Sequence, residues 1–157
     1  MKKAIVYFSW SNNTRKLVEG IQKEIPELDV YRIERKVPYS TDYEECAYHQ
    51  AKEEVEKNIH PEIRELEADF SQYDKILLFF PIWWYTFPMP VATFLLKHKD
   101  YRGKVILFAN SYTNDSQYMQ NSLRDAKALA PDVSFKEGLF NRKRKDHIEF
   151  IKEDKER

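Results

Sequence analysis

Glycine is scarce in this chain: three in 157 residues, at positions 20, 103 and 138. A Walker-type phosphate loop needs glycines and a Gly-Lys-Ser/Thr ending, so that free amides and an ammonium surround several phosphates. A dinucleotide fingerprint needs three glycines directly after the first strand. Neither can be built before Gly20. Net charge is missing too, with 26 Lys and Arg against 26 Asp and Glu, so no long-range field draws the chain to nucleic acid or to an anionic membrane. The single cysteine, Cys46, excludes an intramolecular disulfide and suits a reducing compartment. His49, His60, His98 and His147 are scattered without metal-ligand spacing, and no metal is expected. The apolar run Ala4 to Phe8 that follows Met1-Lys-Lys is shorter than the apolar region of a signal peptide. A cytoplasmic location is the expectation.

Long apolar runs are limited to one. A membrane-spanning helix needs about 20 apolar residues, and Ile76 to Leu96 reaches that length without a charge. Three prolines interrupt it, Pro81, Pro88 and Pro90, each removing a backbone donor. A buried strand, a loop and a helix account for the stretch better than a span, and no membrane association is expected.

What is present is an alternation of apolar runs and helical periodicity. Lys3 to Phe8 reads as a strand, Thr14 to Ile25 as a helix with Leu17, Val18, Ile21 and Ile25 on one face, and Val30 to Ile33 as a second strand. Thr41 to Glu44 has capping-box spacing for a helix reaching about Lys57. Strands follow at Lys75 to Phe80, Lys104 to Ala109 and Val133 to Phe140, with helices at Met89 to Lys97 and Gln117 to Leu129. A last helix is expected behind Asp146 as its N-cap. Hydrophobic residues make up 42% of the chain, enough for one core, and one domain over residues 1–157 is expected. Near-continuous apolar strands alternating with helices predict an α/β fold. Its form is three layers, a doubly wound five-stranded parallel sheet in the order 2-1-3-4-5. Ligands of such sheets bind at the carboxyl ends of the strands where the strand order reverses, which selects the loops after strands one, three and four.

The first loop, Ser9-Trp-Ser-Asn-Asn-Thr14, opens a helix whose leading amides lack intrahelical partners. Ser9, Ser11 and Thr14 can donate hydroxyls to a phosphate, and Asn12 or Asn13 can supply a left-handed turn in place of glycine. The same residues also make an ordinary helix cap. With one flanking cation, Arg15, the loop suits one monophosphate rather than a chain of them. The second loop, Pro81-Ile-Trp-Trp-Tyr-Thr-Phe-Pro-Met-Pro90, offers flat apolar faces for a planar ligand such as a flavin. Core filling and a partner surface are the competing readings of the same aromatics. Cys46 and His49, three apart on a helix with no orienting acid nearby, read as structural. Arg142-Lys-Arg-Lys145 reads as a solvated basic loop that can help to dock an acidic redox partner.

Tyr7-Phe-Ser-Trp-Ser-Asn-Asn-Thr-Arg15, Tyr73-Asp-Lys-Ile76, Pro81-Ile-Trp-Trp84, Pro88-Met-Pro-Val91 and Gly103-Lys-Val105 together resemble the flavodoxin-like family of bacterial FMN proteins that carry a Pro-Ile-Trp-Trp loop. The resemblance runs from the first strand through the fourth and is only an outline beyond. It implies non-covalent FMN with its phosphate at Ser9, Trp10, Ser11, Asn12, Asn13 and Thr14. Its ring would lie against Pro81, Ile82, Trp83, Trp84 and Tyr85, with Thr86 facing the ribityl chain. The third loop, Asn110, Ser111, Tyr112 and Thr113, would meet the pyrimidine edge. Glycines of the family are replaced by Asn12 in the first loop, by Phe79 or Phe80 before the second, and by Tyr112 and its neighbours in the third. Tyr112 either stacks on the flavin or fills the space of its edge. The resemblance implies a redox protein that transfers electrons to a partner protein or reduces a small acceptor such as a quinone. No catalytic side chain is required, because the chemistry is the cofactor's. The alternative is a flavin-free scaffold serving as an interaction module. Nothing in the chain specifies an oligomeric state.

Overall fold

Strands covered on both faces need apolar residues at every position rather than at alternate ones. The runs β1 (Lys3–Tyr7), β3 (Lys75–Pro81) and β4 (Lys104–Asn110) meet that requirement. In the computed structural model, which describes residues 2–153, they form the centre of a five-stranded parallel sheet. The more exposed β2 (Asp29–Arg32) and β5 (Ser134–Phe140) form its edges, and the order is β2-β1-β3-β4-β5. Val6 lies opposite Tyr31 on one side and Leu78 on the other, and Leu78 lies opposite Leu107.

Side chains alternate across a strand, so each central strand feeds two cores. Ile5, Tyr7, Leu77, Phe79, Ile106 and Phe108 point to one face, covered by Val18 and Ile21 of α1 (Asn13–Glu24) and Ile151 of α5 (Arg144–Glu153). Val6, Leu78, Phe80 and Leu107 point to the other, where α3 (Met89–Lys97) contributes Val91, Phe94 and Leu95 and α4 (Gln117–Leu129) contributes Met119 and Ala126. The uncharged stretch 76–96 thus divides into β3, a turn and α3, with Pro88 at the N-cap of the helix. Among the described residues no helix is long and apolar enough to cross a membrane.

Two local expectations shift. The helix read over residues 41–57 is a wide π-helical segment, Glu45–Ala51, that tightens into α2 (Lys52–Glu56), and its first amides are met by Asp42 rather than Thr41, Asp42 Oδ2 accepting from the Glu45 N–H at 3.4 Å. Helix α5 begins two residues ahead of Asp146. Asp146 then occupies the third helical position, and its carboxylate reaches back to accept from the Lys143 N–H at 3.1 Å and from Arg142 Nε at 3.4 Å. On β5, pairing with β4 slips between Leu107 and Ala109. Gly138 occupies the slip, where a Cβ would stand 2.7 Å from the Leu107 carbonyl oxygen.

Candidate functional site at the carboxyl edge of the sheet

The strand order reverses on either side of β1, and there the loops after β1, β3 and β4 enclose a cavity of about 520 Å³. Trp10, Ser11, Asn13 and Thr14 line it from the first loop, Pro81, Ile82, Trp83 and Trp84 from the second, and Asn110, Ser111, Tyr112 and Thr113 from the third. Twelve of the residues named from the sequence therefore face one space. Among the described residues no Asp, Glu, Lys, Arg or His belongs to the lining.

In the first loop Asn12 takes φ 71°, the left-handed conformation that asparagine reaches more readily than most residues, and so turns the chain into α1. Its side chain makes no cap hydrogen bond, and the first turn of α1 carries no acid. Buried Ser9 supplies a side-chain cap, its Oγ accepting from the Arg15 N–H at 3.3 Å. Among the described residues no protein group accepts from the backbone amides of Trp10 to Thr14. A helix start with unspent amides and no counter-acid has the electrostatics to receive an anion. Trp10 is fixed beside it by its Nε1, which donates to the Ser40 carbonyl at 3.0 Å.

The second loop reverses in two residues. The Trp83 N–H donates to the Thr86 carbonyl at 2.8 Å and the Thr86 N–H returns a bond at 3.4 Å, while Trp84 and Tyr85 adopt φ 51° and 75°. Turns of this kind usually carry Asn-Gly or Gly-Gly at those positions. Here two aromatic residues are held there by clamps on both sides. Trp84 Nε1 donates to the Ala47 carbonyl at 2.7 Å, Asn121 Nδ2 to the Tyr85 carbonyl at 3.0 Å, and the Thr86 hydroxyl to Asp125 at 2.8 Å. Tyr85 is 62% exposed and Thr86 is buried with its hydroxyl spent on Asp125; neither lines the cavity. Trp83 packs edge-on against Phe8 at 5.4 Å and Tyr39 at 5.3 Å, and Phe87 is wholly core.

The third loop leans on the second, the Ile82 N–H donating to the Asn110 carbonyl at 2.9 Å. Tyr112 is fully exposed, so it leaves the cavity open. The organiser of this loop is Asn141, a lining residue the sequence did not single out. It sits at φ 53°, accepts from the Ser111 N–H at 2.6 Å through Oδ1 and donates to Asn114 Oδ1 at 3.3 Å.

The remaining wall carries no signal in the sequence either. Tyr43, Cys46, Ala47, Tyr48 and Ala51, from the β2–α2 connection and its π-helical turn, close the side opposite α1. Ring contacts run on from Trp10 to Tyr43 at 6.2 Å, Tyr43 to Tyr48 at 6.2 Å and Tyr48 to Trp84 at 5.5 Å. The apolar surroundings of Cys46, with the Glu54 charge adding to them, push its thiol up to about 11, so it stays protonated at neutral pH. His49 is exposed while Cys46 is buried, and the two do not act as a pair.

A family model described as Flavodoxin matches residues 2–153. Among solved structures, the flavoprotein of Lactobacillus acidophilus NCFM in complex with FMN is 25% identical with a TM-score of 0.77, covering 89% of this chain and 93% of that one. The apo-form of the flavoprotein from that organism is 27% identical with a TM-score of 0.67 over 88% and 90%. A chain from Bacteroides eggerthii DSM 20697 aligns at 25% identity with a TM-score of 0.78 over 96% of each. The Escherichia coli K12 protein called uncharacterized NAD(P)H oxidoreductase YcaK is 31% identical over 65 residues, 41% of this chain; the match spans 31% of that protein's length.

Proposed function

This chain belongs to the flavodoxin family, and from that premise we propose that it binds one FMN non-covalently and serves as a redox protein. The observation that carries the reading is the run of unspent amides from Trp10 to Thr14 facing a slot walled by Trp10, Trp83 and Trp84. Those residues fit the group: the amides and the Ser11 and Thr14 hydroxyls suit a phosphate, and the uncharged aromatic walls suit a flat ring. Ser9, buried behind the loop, shapes it rather than facing the ligand. Asn110, Ser111 and Thr113 line the same cavity and would offer polar groups to the edge of the ring, and exposed Tyr112 can fence it from outside.

Bound FMN would supply the electron chemistry; the protein's part is to bind, orient and keep the ring dry. Trp84 is immobilised by its bond to Ala47, so that wall is set before a ligand arrives. Asn121 fixes the Tyr85 carbonyl away from free rotation. No side chain is needed as acid or base.

Reduction of a small neutral acceptor such as a quinone is favoured over dedicated electron carriage. Carriers commonly use a strongly signed surface to steer toward a partner, whereas this chain has no net charge and its cavity lining has no charged residue. The likeness to an NAD(P)H oxidoreductase supports the same choice. The competing reading, a flavin-free interaction module, leaves the unspent amides of the first loop without a purpose.

Titration of flavin-stripped protein with FMN, followed by flavin fluorescence and visible absorption, is the test. Quenching to a one-to-one endpoint is expected, and no change up to high micromolar FMN overturns the proposal. NADH or NADPH oxidation that depends on both added FMN and quinone then identifies the reductase, and its absence favours the carrier.

A further inference from the structure

Arg32 ends β2 directly opposite Tyr7, the last residue of β1, and so stands behind the first loop. Its Nη2 donates to the Ser9 carbonyl at 3.1 Å, and its guanidinium lies 5.8 Å from the centre of the Tyr7 ring. The side chain is half-buried and takes part in none of the ion pairs among the described residues. The other cation of the loop differs: Arg15 shares its charge with Glu19, Nε to Oε1 3.5 Å. The field of Arg32 is felt locally, since it is the first influence opposing the rise that burial imposes on the Tyr7 phenol.

Two consequences follow from this placement. In a trans peptide the carbonyl and the next amide point in opposite directions, and the described residues have no cis bonds. Anchoring the Ser9 oxygen to Arg32 therefore turns the Trp10 N–H away from Arg32, and Trp10 lines the cavity. The unneutralised guanidinium also adds a full positive charge to the dipole of α1 at an anion site whose lining has no charge of its own.

We infer that Arg32 is the positioning residue and counter-charge of the phosphate end of the flavin site, orienting the first-loop amide and making the site select a phosphorylated flavin over an uncharged one. This rests on the reading of the cavity as an FMN site. Selectivity is the discriminating observable, because FMN and riboflavin differ only in the phosphate.

The experiment measures both affinities by flavin fluorescence for the wild type, Arg32→Met and Arg32→Lys, with circular dichroism verifying the fold of each. Wild type is expected to prefer FMN strongly. Arg32→Met should weaken FMN by on the order of tenfold while leaving riboflavin within about twofold, and Arg32→Lys should recover most of the loss. Equal weakening of both ligands by Arg32→Met overturns the inference, since the residue would then only support the loop. So does an unchanged FMN-to-riboflavin ratio in both variants. Should Arg32→Met not fold, Arg32→Gln takes its place: FMN binding that responds less to added salt than in the wild type, with riboflavin binding unchanged, supports the counter-charge, and a salt response equal to that of the wild type overturns it. A wild type that binds neither flavin overturns the FMN reading itself, a result distinct from failure of selectivity.

Discussion

His147 is wholly buried between Phe79 and Phe108, at ring distances of 5.3 and 5.6 Å, with no hydrogen-bond partner for either ring nitrogen among the described residues. Burial pulls its pKa down to about 4. The folded protein therefore holds the ring neutral where the unfolded chain would protonate it. Stability from this residue is intact above pH 6.5 and falls as pH descends from 6.5 to 4, by about 3 kcal/mol in total. His147→Leu should match or exceed wild-type stability at pH 7 and lose markedly less on going to pH 4.5, read by urea unfolding at both pH values. At Tyr85 the left-handed φ costs an L-residue roughly 1–2 kcal/mol, part of which glycine returns through its flexibility in the unfolded chain. Tyr85→Gly is expected to raise stability by about 0.5 kcal/mol, visible as a small rise in thermal midpoint; a fall of more than 1 kcal/mol would mean that its ring contact with Tyr118, 6.0 Å, outweighs the strain.

At the scale of elements, the third loop is built from β5 as much as from β4. Asn141→Ala removes the acceptor for the Ser111 N–H and puts alanine at φ 53°. A loss of about 2 kcal/mol in stability is expected, with weaker FMN binding by titration; unchanged FMN affinity would separate this loop from the ligand. The central strands and the two principal loops were legible from the sequence because buried parallel strands are uniformly apolar and because prolines and a hydroxyl-rich turn mark where they end. Asn141 was not, since one asparagine after a half-exposed edge strand gives no periodic signal. The wall from Tyr43 to Ala51 was hidden for another reason. Its charged sequence reads as a solvated α-helix, and the π-helical winding that turns Cys46, Ala47, Tyr48 and Ala51 toward the cavity follows from tertiary packing, to which helical periodicity is blind. Asp146 fits an N-cap as well as the third helical position, because an acid suits either end of a capping box, and only the backbone distinguishes the two.

For the whole molecule, the site joins elements from both edges of the sheet: Trp10 and Tyr43 lie on the β1 and β2 side, Asn141 beyond β5. A ligand that bridges them binds only the folded chain and stabilises it by mass action, about 2.7 kcal/mol at a hundred times its dissociation constant. FMN at that excess should raise the thermal midpoint by roughly 5–10 °C, measured by circular dichroism, and riboflavin by less.

The chain has three tryptophans, and all three, Trp10, Trp83 and Trp84, line the same cavity. Indole emission, excited to the red of where the ten tyrosines absorb, therefore comes from the site. A molecule entering the slot comes up against indoles on two of its walls, so the native, unlabelled chain can serve as its own optical sensor for what binds there, coloured or colourless.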